Sequence, residues 1–248
     1  MTYCLAIKIE KGLVFCSDSR TNAGVDRVST FSKMHLLGQT DDRFLMLLAA
    51  GNLATTQAVV DTVARDVKEQ NDGNINQATY LDEVADYIGQ ISLSVQNKYA
   101  PAGEEASFNA GASFILGGQI GDDSPELYLI YPEGNHIRTS KEFPFFQVGE
   151  TKYGKPILDR IIEPSTTPEI AMRCALVSMD STLRSNVTVG PPIELLFFQA
   201  GNYVAEAPHR KFPQHDPYLV QLRESWNAEI VSAFNNLPGL SAAFSDSL

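Results

Sequence analysis

Residues 2–24 read TYCLAIKIEKGLVFCSDSRTNAG, and this stretch decides the fold. Two runs rich in aliphatic, β-branched and aromatic residues, 3–9 and 13–19, flank the polar break Glu10-Lys11-Gly12. Such a pair around a short glycine-containing break predicts a β-hairpin. A three-residue loop ending on Gly12 sets Ile9 opposite Leu13. Counting back, Cys4 falls opposite Asp18 and Thr2 opposite Arg20. Side chains alternate along a strand, so this register predicts Thr2, Cys4, Asp18 and Arg20 on one face. Leu5, Ile7, Ile9, Leu13 and Phe15 then fill the core on the other. Thr2 and Asp18 become diagonal neighbours, roughly 5–8 Å apart. A slip of one residue would exchange the two faces.

Outward from the hairpin, residues 45–50 are almost entirely apolar and predict a central buried strand that stops at Gly51. Leu53, Val60, Val63 and Val67 follow helical spacing as far as Asn71, and Leu81, Val84, Ile88, Ile91 and Val95 mark a second helix. A loop is expected over 100–107, then strands near 110–120 and 125–131, with Gly117-Gly118 as a strand end or bulge. A second helix pair is predicted at 152–162 and 168–183, and closing strands at 193–198 and 203–205. Beyond a connector dotted with Pro208, Pro213 and Pro217, Leu219, Leu222, Trp226, Ile230 and Phe234 predict an amphipathic helix over about 218–236. Strands followed by a helix pair, twice over, predict an α+β domain in which two stacked sheets are covered by helices. No linker divides it, so residues 1–248 are expected to form a single domain.

With 44% apolar and 20% charged residues in 248, the chain has ordinary globular composition and enough apolar side chains for a core. Lysine and arginine supply 19 charges against 30 acidic ones, a net charge of −11. An acidic surface argues against nucleic acid and anionic lipid as partners. Cys4, Cys16 and Cys174 form no CxxC pair and read as free thiols in a reducing compartment. The opening MTYCLAIKIEKG lacks the pattern of a signal peptide, and no apolar run approaches the roughly 20 residues of a membrane helix. A cytoplasmic protein with no membrane association is therefore expected. There is no GxxxxGK[ST], GxGxxG or GxSxG motif. His35, His136, His209 and His215 have no metal-ligand spacing, so neither metal nor cofactor is expected.

One chemical constellation remains. Thr2 follows Met1 directly, and aminopeptidases generally remove a methionine that precedes a small residue. The threonine left behind carries its own catalytic pair: the hydroxyl attacks and the free α-amine accepts its proton. An α-amine titrates near about 7.7–8.0, close to working pH, which suits a general base. A nearby cation would depress the pKa of both groups. Lys33 is the candidate, with Asp18 to hold it charged and oriented.

The run TYCLAIKIEKGLVFCSDSRTNAG, then SKMHLL (32–37), then LLAAGNLATTQAVVD (47–61) resembles the opening of proteasome β-type subunits and of the bacterial peptidase HslV. Within that N-terminal-nucleophile peptidase family, SMDSTLRSNVTVGPP (178–192) and RKFPQHDPYL (210–219) are similar to its ancestral bacterial β-subunit branch, Anbu. The resemblance implies a four-layer αββα sandwich, the N-terminal-nucleophile hydrolase fold. It implies Thr2 as nucleophile, Asp18 and Lys33 as its acid–base partners, and the Gly51 N–H as oxyanion donor. That last role suits a strand end meeting a helix N-terminus, where N–H groups are unpaired. Ala49 and Thr21 match substrate-binding positions, and Ser185 a further catalytic serine. Two positions depart from the family pattern: Glu150 replaces the serine beside the amine, and Thr182 replaces the aspartate that precedes Ser185 by three. The activity implied is threonine endopeptidase, on peptides or unfolded protein, in a homo-oligomeric ring or ring-like assembly; an ATPase partner follows by analogy alone. The alternatives are an amidase for small amides and a catalytically silent assembly subunit.

Overall fold

The structure is a computed structural model and describes residues 1–22, 28–99, 109–203 and 207–239. Gly24 and the loop expected over 100–107 lie outside the described residues, as do two of the three residues of the strand expected at 203–205. Strands β1 (Tyr3–Ile9), β2 (Gly12–Ser17), β3 (Arg20–Asn22), β4 (Val28–Thr30), β5 (Met34–Thr40) and β6 (Arg43–Gly51) come first, followed by helices α1 (Leu53–Glu69) and α2 (Leu81–Tyr99). Strands β7 (Ala112–Ile120), β8 (Glu126–Ile130), β9 (His136–Arg138) and β10 (Phe145–Gly149) precede α3 (Lys155–Ile161) and α4 (Pro168–Ser185). Strands β11 (Ile193–Gln199) and β12 (His209–Phe212) and helix α5 (Pro217–Asn235) complete the order. Strand β12, inside the proline connector, is an element the sequence reading does not expect.

One antiparallel sheet runs β10-β1-β2-β11-β12, a second runs β5-β6-β7-β8-β9, and β3-β4 form a small ribbon. The two larger sheets face each other across Cys4, Ala6, Leu13, Phe15, Phe44, Met46, Leu48, Ile115, Leu127 and Phe198. The outer face of the second sheet is covered by α1 and α2 through Leu45, Leu47, Val59, Val63, Val84, Ile88, Phe114 and Leu116. Helix α4 lies on β1, β2 and β11, and α3 packs on α4. These are the four layers of an αββα sandwich, as the resemblance implied.

The hairpin register differs from the expected one. Its turn holds only Glu10 and Lys11, and Gly12 enters the ladder opposite Ile9 on one side and Gln199 on the other. A Cβ on Gly12 would stand 1.9 Å from the Phe198 carbonyl oxygen, so the residue there must lack a side chain. Cys4 therefore pairs with Ser17, not Asp18. Cys4, Ala6, Leu13 and Phe15 share the inter-sheet face, while Leu5, Ile7, Val14 and Cys16 alternate toward the helices. Both faces are buried, so the apolar pattern carried no information about the register. Gly117 and Gly118 likewise sit in the middle of β7, neither at its end nor at a bulge. A Cβ on Gly117 would meet the Phe15 ring at 2.5 Å, which makes it a seat for an aromatic from the opposite sheet.

By its contacts the chain divides into two compact units, Met1–Gln214 and His215–Leu248. In the second, α5 is capped by Asp216, whose carboxylate accepts from the Tyr218 and Leu219 N–H groups. No residue of α5 is buried. Leu219, Leu222 and Trp226 are half-buried, whereas Ile230 and Phe234 of the same predicted stripe are exposed. Among the described residues no helix is long and apolar enough to cross a membrane.

Candidate active site

Asp18 is the anchor of the site. Regular pairing of β2 ends at Ser17, and the chain then turns so that the Asp18 carboxylate, wholly buried, collects four donors. Oδ1 accepts the Tyr3 N–H at 3.0 Å and the Lys33 ammonium at 2.5 Å. Oδ2 accepts the Arg20 N–H at 3.2 Å and the Gly190 N–H at 3.0 Å. Hydrogen bonds to the ionised form are the means by which a protein keeps a buried carboxylate charged. The Thr2–Asp18 proximity expected from the hairpin thus arises without the expected register: the residue after Thr2 donates its backbone N–H directly to the Asp18 carboxylate.

Lys33 enters from the chain just before β5. Its carbonyl accepts the Ala49 N–H at 2.9 Å, which ties it to β6. Its ammonium spans the Asp18 carboxylate and the Arg20 carbonyl, the latter at 2.7 Å. The ion pair is nearly dry, with the side chains 8% and 0% exposed. A buried pair of this kind holds only when hydrogen bonds complete it, and here they do.

Beside the pair opens a cavity of about 430 Å³, lined among others by Met1, Thr2, Arg20, Lys33, Gly51 and Glu150. Ala49 and Thr21 also line it. The floor is the junction of β6 and α1. Gly51 takes φ +116°, and a Cβ on it would meet the Gly111 carbonyl oxygen at 2.4 Å. Asn52 caps α1, its side-chain oxygen accepting from the Ala54 and Thr55 N–H groups at 3.0 and 3.3 Å. On the far wall Gly149, at φ +85°, lets the Glu150 N–H reach the Thr2 carbonyl at 2.8 Å; a Cβ on Gly149 would stand 1.9 Å from that oxygen.

The structure thus brings Thr2, Lys33, Gly51, Ala49 and Thr21 around one opening, with the buried Asp18 bonded to Lys33 and to the Tyr3 N–H. Ser185 is not brought there. It is the last residue of α4, exposed, and absent from the lining. Cys4, two residues from Thr2, is no competing nucleophile, because burial drives its thiol pKa well up and its Sγ points to the Ala49 carbonyl at 3.7 Å. Among the described residues no three His, Cys, Asp or Glu side chains are placed to hold a metal ion.

Two supporting residues escaped the sequence reading. Gly190 donates to Asp18 from 172 positions away and leaves room for the Arg20 guanidinium, which would stand 2.3 Å from a Cβ there. Arg20 in turn donates to the Val187 carbonyl at 2.6 Å. Glu194, 2% exposed on β11, accepts from Ser19 Oγ at 3.4 Å, and His209 Nε2 and Lys211 Nζ each lie 3.1 Å from it. Burial pushes its carboxyl pKa up, but the Ser32 hydroxyl and the Lys211 and His209 charges outweigh that and hold it below the usual carboxylate range. Glu194 thus grips the neighbours of both Asp18 and Lys33. The signals were present, a buried-strand Glu opposite Lys211 and diagonal to His209 on the next strand, but β12 was not foreseen.

An αββα sandwich of two antiparallel sheets covered by helices is the fold of the N-terminal-nucleophile hydrolase class. The Proteasome subunit family profile matches residues 2–197, and the chain belongs to that family. Among solved structures it is similar to Anbu, the ancestral beta-subunit, from Yersinia bercovieri: 40% identity over 96% of this chain and 98% of that one, TM-score 0.89. The Anbu complex from Pseudomonas aeruginosa, solved as a helical assembly, is 37% identical over 96% of this chain and 97% of that one, with a TM-score of 0.88. A Gly-1 mutant of Anbu from Hyphomicrobium sp. strain MC1 is 36% identical over 96% and 99%, with a TM-score of 0.87. No curated protein matches the sequence.

Proposed function

We propose that the chain is a threonine peptidase that works in a homo-oligomeric assembly. Removal of Met1 frees the Thr2 α-amine. The Thr2 hydroxyl then attacks a peptide carbonyl while the amine takes its proton, and a C–O bond forms as the carbonyl oxygen becomes an oxyanion. The Gly51 N–H, beside the N-terminus of α1, donates to that charge, and a preorganised donor of this kind typically contributes roughly 3–4 kcal/mol. Collapse breaks the C–N bond, the ammonium returns its proton to the leaving amine, and water releases the acyl group by the same route. Lys33, held by Asp18, supplies the fixed positive charge that favours the deprotonated forms of Thr2. Ala49 and Thr21 form walls of the substrate cavity, and Ser185 takes no part in these steps.

The single observation that carries this reading is the dry Asp18–Lys33 pair at the edge of a cavity that Thr2 lines. The test is Thr2→Ala: hydrolysis of a fluorogenic peptide is expected to vanish with the mass in solution unchanged. Full activity in that variant contradicts the mechanism. A second reading, a proteasome-like assembly subunit with little activity, is favoured by the helical assembly of the Pseudomonas relative. Background-level hydrolysis by protein with a free Thr2 would support it.

A further inference from the structure

Glu150 is 9% exposed and lines the same cavity as Thr2 and Lys33. Tyr3 pairs with Gly149, so Glu150 occupies the next rung, opposite Thr2, and its N–H is spent on the Thr2 carbonyl. Among the described residues its carboxylate has neither a hydrogen bond nor an ion pair. Its oxygens are not fully enclosed, so the carboxylate is open to a cation in the cavity. Besides the Met1 α-ammonium, which processing removes, the cations lining this corner are engaged: the Lys33 ammonium with Asp18 and the Arg20 carbonyl, the Arg20 guanidinium with the Val187 carbonyl. Cutting Met1 away moves the terminal α-ammonium onto Thr2, the residue facing Glu150.

We infer that the Glu150 carboxylate forms an ion pair with the α-ammonium group of processed Thr2, anchoring the amine and setting the pH above which it can act as a base. The inference rests on the peptidase reading, since it needs a free Thr2. Its direction is fixed by charge. Lys33 favours the neutral amine, whereas Glu150 favours the ammonium. The pair therefore holds the amine above the pKa it would have beside Lys33 alone and moves the onset of activity toward alkaline pH. Two carboxylates and two cations then balance within the site: Asp18 with Lys33, Glu150 with Thr2.

The test reads the amine itself and needs no turnover. Purified protein is treated with trace acetic anhydride across a pH series, and acetylation of the Thr2 amine is followed by mass spectrometry of the N-terminal peptide. The neutral variants Glu150→Gln and Glu150→Ala are expected to titrate roughly one pH unit or more below the wild type, and Glu150→Asp close to it. Calorimetry identifies which neutral variant is folded, and either one suffices. An unchanged midpoint in a folded neutral variant overturns the ion pair while leaving the peptidase reading intact. A purified chain that keeps Met1 overturns the peptidase reading itself and this inference with it.

Discussion

Asp18 is where residue-scale chemistry concentrates, because one buried carboxylate orients Lys33 and pins the backbone of Tyr3, Arg20 and Gly190. Replacing Lys33 with methionine keeps the bulk but leaves the Asp18 charge unpaired. Breaking a buried pair in this way costs about 3–5 kcal/mol, with the lower end expected here because three N–H donors remain. Chemical denaturation reads that loss, and peptide hydrolysis should fall to background in the variant that still folds. Glu194 makes a different prediction. A carboxyl held below its ordinary range adds stability above about pH 4.3, where an unfolded glutamate ionises, and loses it as acid protonates the folded group. Glu194→Gln should therefore melt lower than the wild type at neutral pH, with the gap closing in acid. A gap that stays constant with pH would show that the carboxylate charge is not what stabilises. The closeness of Thr2, Asp18 and Lys33 was legible in the sequence from the opening residues and their family resemblance, while their roles belong to the proposed mechanism. Gly190 was not legible, since nothing local marks a glycine N–H as a donor to a residue 172 positions away.

At the scale of elements, the site is made by three places where strands end: β2 at Ser17, β6 at Gly51 and β10 at Gly149. Gly149→Ala would force a side chain into the left-handed region, at about 1–2 kcal/mol, and also push against the Thr2 carbonyl. Stability and Thr2 reactivity should fall together; a variant with wild-type reactivity toward an electrophile would show that this approach does not position Thr2. Asn52→Ala should cost about 1 kcal/mol through loss of the α1 cap, measured as a lowered denaturation midpoint. The long helices and central strands were readable because runs such as 45–50 and the Leu81 to Val95 stripe have unambiguous period and length, whereas a short edge strand such as β12 has neither. Hairpin register was not readable: when a strand is covered by a sheet on one side and helices on the other, slipping by one still buries apolar side chains. What fixed it was Gly12 meeting the Phe198 carbonyl, a contact with a strand nearly two hundred residues on.

For the whole molecule, the proposed assembly draws attention to the second unit. Helix α5 leaves Ile230, Val231 and Phe234 at 47%, 59% and 71% exposure, apolar surface of the sort that subunit contacts cover. Ile230→Asp with Phe234→Asp is expected to lower the mass in sedimentation without unfolding residues 1–214, and an unchanged mass would exclude α5 as a subunit contact. The central claim is that the processed chain begins with a residue that is both nucleophile and base. A peptide epoxyketone tests both at once, because the threonine hydroxyl captures its ketone and the adjacent amine opens its epoxide. Mass spectrometry of the N-terminal peptide should show Met1 gone and one inhibitor joined to Thr2 through both groups. An N-terminal peptide that has lost Met1 yet stays unmodified under saturating inhibitor, with the protein folded, would contradict the account.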